Sequence, residues 1–534
     1  MKFRSHLPAA LLLLYVAFVL HGVLFTTQGV FERDGFYHAR YAQMLPARGL
    51  SRAFPWMQFT DWKDKFADKD FLYHVIIAPF CMDAAEPLPG AKWATLLLGL
   101  AAYAAFFVVL RRLNAPAPLF WMALLIFGSG MFLNRMLMVR SHVLSVGLMI
   151  VSAYFILKER LGWCFALGFL YSWSYSFPLA VVLSAAGAAA GRFVFSERSL
   201  RALKVPGVTA AGVAVGLVIH PYTPYSINSV RMLLHISSSR ATGISLELGS
   251  EFMPIFSRAS FDSAEAFARG ILSVVLEVPG PLLALIVGIV LAVLLRAGRF
   301  KGRALSAESA AALGMAAGWF ASLFIFSRLV EYFAPLSILA VALVCRDALD
   351  PAWLAVPFAK TGTGRKALLL AAVLLLAGLH QLALEELTEV VNSSRPHQLA
   401  QIFISDEQWY HGRFFGDSEK DGAVGWLRGH VPPHSTVINF HWDDFPELYY
   451  SAPDYNYLVG LDPTIMRLPY PEQSALLEAM RTRKIPLDFA RLHELFGADY
   501  LIMRNTRAAQ YPELRNRSIE PVFADEGAVI YKIN

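Results

Sequence analysis

Charge is scarce in this chain: only 16% of its 534 residues are Asp, Glu, Lys or Arg, while 56% are hydrophobic. With a positive mean hydropathy as well, this balance excludes a soluble multidomain enzyme and points to an integral membrane protein. Cysteine is nearly absent. The three present, Cys81, Cys164 and Cys345, stand in different contexts and suggest neither a disulfide framework nor a metal cage. No small-x-small cleavage site follows the first apolar run, roughly Pro8 to Leu24, so that run reads as a retained span and not a removable signal. Internal repeats and low-complexity tracts are missing too.

What is present is a series of apolar runs. Besides the first they lie at about 91–110, 117–134, 137–157, 161–176, 177–191, 205–220, 273–295, 308–326, 330–345 and 367–384, each near the roughly 20 residues a spanning helix needs. The expectation is about eleven transmembrane helices, with the short pair around Tyr171 to Leu179 open to being one broken element. Basic residues collect in every second loop: Arg111 and Arg112, Lys158 and Arg160, Arg192 through Lys204, Arg296 through Arg303, and Arg346 through Lys366. Cytoplasmic loops attract Lys and Arg, which sets the amino terminus inside, in a membrane such as the bacterial inner (plasma) membrane. The net charge of +6 is then mostly topology and gives no ground for nucleic-acid binding.

That alternation leaves three long segments outside: Val30 to Gly90, Pro221 to about Ala268, and everything after Leu384. Residues 1–384 read as a polytopic helical domain and 385–534 as an extracytoplasmic soluble α/β domain. In the latter, GAVGWLRGHV, SALLEAMRTRK and LDFARLHELF read as helices. STVINF, DYNYLVG, ADYLIMR and AVIYKI read as strands.

The segment FERDGFYHARY, Phe31 to Tyr41, carries the densest chemistry. On a helix, Asp34, Tyr37, His38 and Tyr41 share one face at i, i+3, i+4 and i+7. A carboxylate with an imidazole one turn away suits cation binding or proton acceptance from an attacking hydroxyl. Glu32 and Asp34 also have a Glu-x-Asp spacing that serves divalent metals. The bland alternative is an interfacial belt of tyrosine and snorkelling arginine. Later in the loop, Asp68 and Asp70 lie among Lys63, Lys65 and Lys69, which reads as a solvated helix face; Asp70 and His74 at i, i+4 remain second-tier site residues.

Asp-x-x-Tyr-His-x-Arg just after a first span, followed by Gly49 at a helix end and by SRAFPWMQF, resembles the first outer loop of the GT-C superfamily, and within it the catalytic subunits of oligosaccharyltransferases. The matching positions are Asp34, Tyr37, His38, Arg40 and Trp56. The resemblance implies a membrane glycosyltransferase that takes a sugar from a polyprenyl phosphate or diphosphate on the outer face. It places the first-loop acidic residue in the active site, as metal ligand (Mg or Mn) or as activator of the acceptor. Asp34 carries that role over, with Glu32 second.

Two departures accompany the match. NRMLMVRSH holds Arg135, Arg140 and His142 where the family has a second acidic motif, and it contains no acidic residue. The Trp-Trp-Asp-Tyr-Gly acceptor motif is represented by His-Trp-Asp-Asp-Phe, in which only Trp442 and Asp443 match; an aspartate there also suits a helix cap. Arginines beside hydrocarbon are suited to holding a lipid phosphate or to snorkelling. Arg328 and Glu331 in SRLVEYFAP are either a site pair or a local i, i+3 ion pair. In HPYTPYSINSVRMLLH the residues His220, Tyr222, Arg231 and His235 mark a re-entrant or interfacial segment beside the substrate cavity, without assigned roles.

These readings converge on inverting sugar transfer from a polyprenyl-phosphate donor to a glycan, lipid or protein acceptor. Asp34 and His38 would do the proton work, and Arg140 or Arg328 would steady the departing phosphate. Oligosaccharyltransferase-like protein glycosylation is the neighbouring alternative, and a transporter or scaffold for lipid-linked sugars the distant one. Ionisable residues at span ends, with no repeat between halves, favour the enzyme.

Overall fold

The computed structural model describes residues 7–25, 29–82, 86–196, 198–228, 231, 278–349, 415, 422–515 and 519–534. The chain divides into two compact units. One comprises Met1–Thr27, Trp93–Leu217 and Ser250–Gln408, the other Gln28–Lys92, Val218–Gly249 and Trp409–Asn534. The boundary near 385 read from the sequence lies outside the described residues, as do the apolar run at 367–384 and His235.

The described helices open with α1 (Leu7–Phe25), α2 (Asp34–Arg48), α3 (Trp62–Lys65), α4 (Phe71–Cys81), α5 (Leu88–Arg112), α6 (Pro118–Phe127) and α7 (Gly130–Leu137). They continue with α8 (His142–Leu157), α9 (Leu161–Ser174), α10 (Leu179–Phe195), α11 (Lys204–Val218), α12 (Pro279–Arg296), α13 (Ala307–Ser322) and α14 (Val330–Ala348). Among the described residues five helices are long and apolar enough to cross a membrane: Pro8–Phe25, Leu88–Arg112, Leu200–Val218, Pro279–Arg296 and Ser327–Ala348. They make this an integral membrane protein. A sixth crossing is available if α6 and α7, bent by 79°, form one broken span. The sequence reading has an ordinary span there, at 117–134. The helix instead stops at Gly128, and Ser129 caps α7 by accepting from the Phe132 amide. A second break falls where the sequence suggested one: α9 ends at Ser174 and α10 starts after Pro178.

Within the helical unit, α14 is buried along its whole apolar window. The helices α10 and α13 meet backbone to backbone. A Cβ on Gly191 would lie 2.1 Å from the Ala310 carbonyl oxygen, and one on Gly314 2.1 Å from that of Gly187. Small residues at the crossing are what permit this approach.

The second unit adds α15 (Gly422–His430), α16 (Phe445–Ser451), α17 (Thr464–Arg467), α18 (Pro471–Arg481), α19 (Phe489–Phe496) and α20 (Asn505–Ala508). Its strands β1 (Val437–Asn439), β2 (Tyr500–Arg504), β3 (Phe523–Ala524) and β4 (Ala528–Lys532) form one sheet in the order β1-β2-β4-β3. The pair β1–β2 is parallel; β2–β4 and β3–β4 are antiparallel. Alternation along each strand covers both faces. Ile438, Leu501, Met503 and Val529 pack with Leu477, Leu492 and Phe496, which α18 and α19 supply. On the opposite face Val437, Ile502 and Ile530 share a core with Tyr37, Tyr41, Phe54, Trp56 and Tyr449. The face carrying Tyr37 and Tyr41 on α2 is thus part of the core beneath the sheet.

Three of the four expected strands appear as β1, β2 and β4. DYNYLVG does not join the ladder: Asn456 and Tyr457 make only isolated bridges, to Thr436 and Met57, and the Asn439 side chain ties the Leu458 amide and the Val459 carbonyl. The segment still bonds by its backbone to Ser435 and Val437 on one side and to Trp56, Gln58 and Phe59 on the other.

Candidate functional site

Helix α2 opens at Asp34 and closes at Gly49, whose φ of 61° lets its amide return to the Leu45 carbonyl. Asp34 occupies the first turn, where the positive end of the helix dipole favours a carboxylate. It is half-buried, as is Glu32 just outside the helix. Tyr37 and His38 follow on the same helix and are buried. Burial, followed by the nearby Asp68 charge, pushes the Tyr37 hydroxyl well above the ordinary tyrosine range, so it acts only as a neutral group. Arg40 lies over the Tyr450 ring at 4.8 Å and donates to the Tyr450 carbonyl. Trp56 donates to the Pro453 carbonyl at 2.6 Å and receives Arg48 over its ring. Arg40 and Trp56 therefore brace the loop against the residues around α16.

The Asp68-x-Asp70 segment corrects the sequence expectation of a solvated face. Both aspartates are buried, whereas Asp61 and Asp64 are the exposed ones. Asp70 precedes α4, and its carbonyl accepts from the His74 amide. Asp68 carries the side-chain chemistry instead. Both its oxygens lie within 2.9 Å of His74 Nδ1, and its Oδ1 also accepts from the Asp70 amide at 3.0 Å. The second nitrogen of His74, Nε2, is 2.8 Å from His38 Nδ1. Tyr222 reaches the same cluster through its hydroxyl, 3.1 Å from that of Tyr41. His220 packs on Phe71, and burial lowers its pKa to about 4 despite the opposing pull of Asp68.

Arg33, one residue before Asp34, is fixed by a buried ion network that the sequence reading missed. Its Nη1 donates to Asp444 Oδ1 at 3.0 Å and to Asp443 Oδ2 at 3.4 Å. Arg504 at the end of β2 donates to both aspartates, and Arg507 grips Asp443 with a two-nitrogen fork. Burial alone would raise the Asp443 pKa. Hydrogen bonds from Arg507, with its charge and that of Arg33, reverse this and hold it well below the usual carboxylate range. The expected capping role does not form: Trp442–Asp444 is a 3-10 turn, and Asp444 makes no cap hydrogen bond to α16. Guanidinium forks outcompete backbone amides for an ionised carboxylate. Trp442, half-buried, packs against the second core of the sheet.

In the helical unit Glu331 is fully buried and gathers several expected residues. Arg135 donates to its Oε2 through Nε and Nη2, and Tyr175 to its Oε1 at 2.9 Å. Arg328 donates to the Tyr175 hydroxyl at 2.6 Å. The carboxylate thus pairs with Arg135, and the sequence-local partner Arg328 is joined to it through a phenol. His142 caps the cluster through Nε2 against the Arg135 carbonyl. Arg140, half-buried, sits in the turn between α7 and α8, where its amide bonds the Met138 carbonyl. Near the start of α5, Lys92 is a buried cation that the sequence reading passed over because it interrupts an otherwise apolar run.

Among the described residues no group of three or more His, Cys, Asp or Glu could hold a metal ion. Glu32 and Asp34 therefore form at most a partial donor set, and no step below is routed through a metal.

No protein-family model matches the sequence, and no curated protein matches it. Solved structures do match in fold. The Archaeoglobus fulgidus oligosaccharyltransferase, crystallised with a tethered acceptor peptide containing an NVT sequon, superposes with a TM-score of 0.58 at 13% identity, over 94% of this chain and 69% of that one. ArnT from Cupriavidus metallidurans bound to undecaprenyl phosphate gives 0.53 at 15% identity, over 98% of both chains. Its apo state gives 0.54 at 14%, over 99% of this chain and 98% of that one. The chain thus shares its fold with the oligosaccharyltransferase and ArnT structures.

Proposed function

We propose that this protein is a membrane glycosyltransferase that moves a sugar from a polyprenyl-phosphate-linked donor to an acceptor hydroxyl at the outer face of the membrane, with inversion. The observation that carries the reading is Asp34 in the first turn of α2, directly after the first span, in a chain with the GT-C fold. One structural neighbour is bound to undecaprenyl phosphate, which supports the class of donor.

In this mechanism Asp34 takes the proton of the acceptor hydroxyl as its oxygen attacks the anomeric carbon. A bond forms from acceptor oxygen to sugar, and the bond from sugar to phosphate oxygen breaks on the opposite side. Charge grows on the departing lipid phosphate, and a guanidinium fork is the kind of group suited to receive it.

A glycan or lipid acceptor is favoured over a protein asparagine. Both oxygens of Asp443 are engaged by Arg507, which supports an anchoring part for the His-Trp-Asp-Asp-Phe segment and not peptide recognition. The experiment is to offer purified protein in lipid nanodiscs a panel of radiolabelled polyprenyl-phosphate sugars with glycan, lipid and peptide acceptors, with and without chelator. Formation of a product of inverted configuration supports the reading. Donors left intact with every acceptor would refute it.

A further inference from the structure

Several of the turns in which the sequence collects basic residues meet at one end of the helical unit. There Lys158, just after α8, donates to Glu308 Oε1 at 2.6 Å. Arg346, near the end of α14, donates to Glu308 Oε2 at 2.9 Å and to the Leu113 carbonyl after α5. Arg192 on α10 holds the Glu159 carboxylate and the Leu157 carbonyl, and Arg296 on α12 donates to the Val194 carbonyl. The two glutamates are thus taken up by Lys158, Arg192 and Arg346. Cations remain: among the described residues Arg160, Arg299 and Lys301 have no side-chain partner.

Arg160 differs from the other two because a cavity lies beside it. The chain passes from α8 to α9 through Glu159, which takes the left-handed conformation at φ 50°, and the Glu159 and Arg160 amides return to the Ile156 and Phe155 carbonyls. Glycine is the usual residue at such a helix end. Arg160, Tyr154, Phe155 and Trp163 line a cavity of about 430 Å³, a volume ordinary for a small-ligand site. Glu159 lines it too, but Arg192 neutralises that carboxylate, so Arg160 supplies the charge left over. The Phe155 and Trp163 rings stack at 5.0 Å, and Trp163 is 58% exposed. Leu170, also exposed, lies seven residues on and shares its face of α9. Tryptophan beside a basic residue at the end of an apolar helix marks the headgroup level of a membrane.

We propose that this cavity binds the headgroup of an anionic phospholipid. The phosphate sits on the Arg160 guanidinium, the glycerol against the stacked Phe155 and Trp163 rings, and an acyl chain follows the face of Trp163 and Leu170. A guanidinium suits a phosphate because its N–H groups pair with two oxygens at once. The surplus of positive charge at this end selects an anionic lipid over a zwitterionic one. The exposed apolar face beside the cation selects a lipid over free phosphate, which would leave Trp163 uncovered. The proposal is independent of the transfer reading.

Native mass spectrometry of the full chain in detergent, titrated with phosphatidylglycerol or phosphatidylcholine, tests this, with thermal melts to show that each variant is folded. Wild type should retain phosphatidylglycerol in preference to phosphatidylcholine. Arg160→Gln should weaken phosphatidylglycerol binding by roughly 10–100-fold, the worth of a hydrogen bond to a charged group. Arg299→Gln removes an equal charge from the same end, outside the cavity, and should cost no more than about 5-fold, one cation's share of a diffuse surface attraction. Trp163→Ala should weaken binding, and Trp163→Phe should keep most of it. Equal losses in the two glutamine variants, or no preference between the two lipids, would overturn the site. Displacement of the bound lipid by excess inorganic phosphate would assign the cavity to a free anion and overturn the lipid as its occupant. If Arg160→Gln does not fold, the lipid preference of wild type and the two Trp163 variants decide.

Discussion

Arg135 and Glu331, 196 residues apart in the chain, meet inside the helical unit with two guanidinium nitrogens on one carboxylate oxygen, at 3.1 and 2.8 Å. Neither charge is worth burying alone. Removing one partner of a buried pair leaves the other uncompensated and typically costs about 3–5 kcal/mol, whereas replacing both by apolar groups is often neutral. Glu331→Gln should therefore lower the thermal midpoint in nanodiscs by many degrees, and Arg135→Met with Glu331→Met should restore much of it. A double variant as unstable as the sum of the singles would show that the pair is not the unit of stability.

A second prediction concerns the crossing of α10 and α13. A methyl group at Gly191 meets backbone, not a flexible side chain, at 2.1 Å. Gly191→Ala should destabilise by at least the roughly 1–3 kcal/mol typical of overpacking, while Gly207→Ala, with nothing within 4 Å, should be silent. Thermal melts of the two variants beside wild type check this. Equal melts would mean that the helices are not in backbone contact.

His220 makes acid stability testable. Its folded pKa is lowered from 6.5 to about 4, chiefly by burial, so the unfolded chain binds a proton that the folded one refuses. The sign follows: the contribution is fully present above pH 6.5 and is lost as pH falls from 6.5 towards 4. His441, kept neutral by burial and then by the Arg507 charge, acts in the same direction. Thermal midpoints measured across this window should fall for wild type and fall less steeply for His220→Gln. Parallel curves would remove His220 from the balance.

Much of the fold was legible because it is written locally. Apolar run length announces a span, and β-branched clusters announced β1, β2 and β4. The helix that carries Asp34, Tyr37 and His38 was legible for the same reason, since their spacing is helical. What escaped reading depends on partners distant in sequence. The nearest basic neighbour of Glu331 is Arg328, yet the guanidinium that reaches its carboxylate is Arg135. Asp68 sits among lysines and so reads as solvated, but its environment is made by His74 on the next helix. Arg504 at the end of β2 and Arg507 on α20 just after it could have been flagged as cations beside a strand in need of a carboxylate. Only the fold shows that the carboxylates are Asp443 and Asp444.

The central claim is that Asp34 activates the acceptor, and the most direct measurement compares wild type with Asp34→Asn, a near-isosteric change, in single-turnover assays with bound polyprenyl-phosphate sugar. The account predicts donor binding close to wild type and sugar transfer slowed by roughly 10²–10⁴-fold, the range for loss of a positioned acid or base. Transfer at the wild-type rate by a folded Asp34→Asn protein would contradict it.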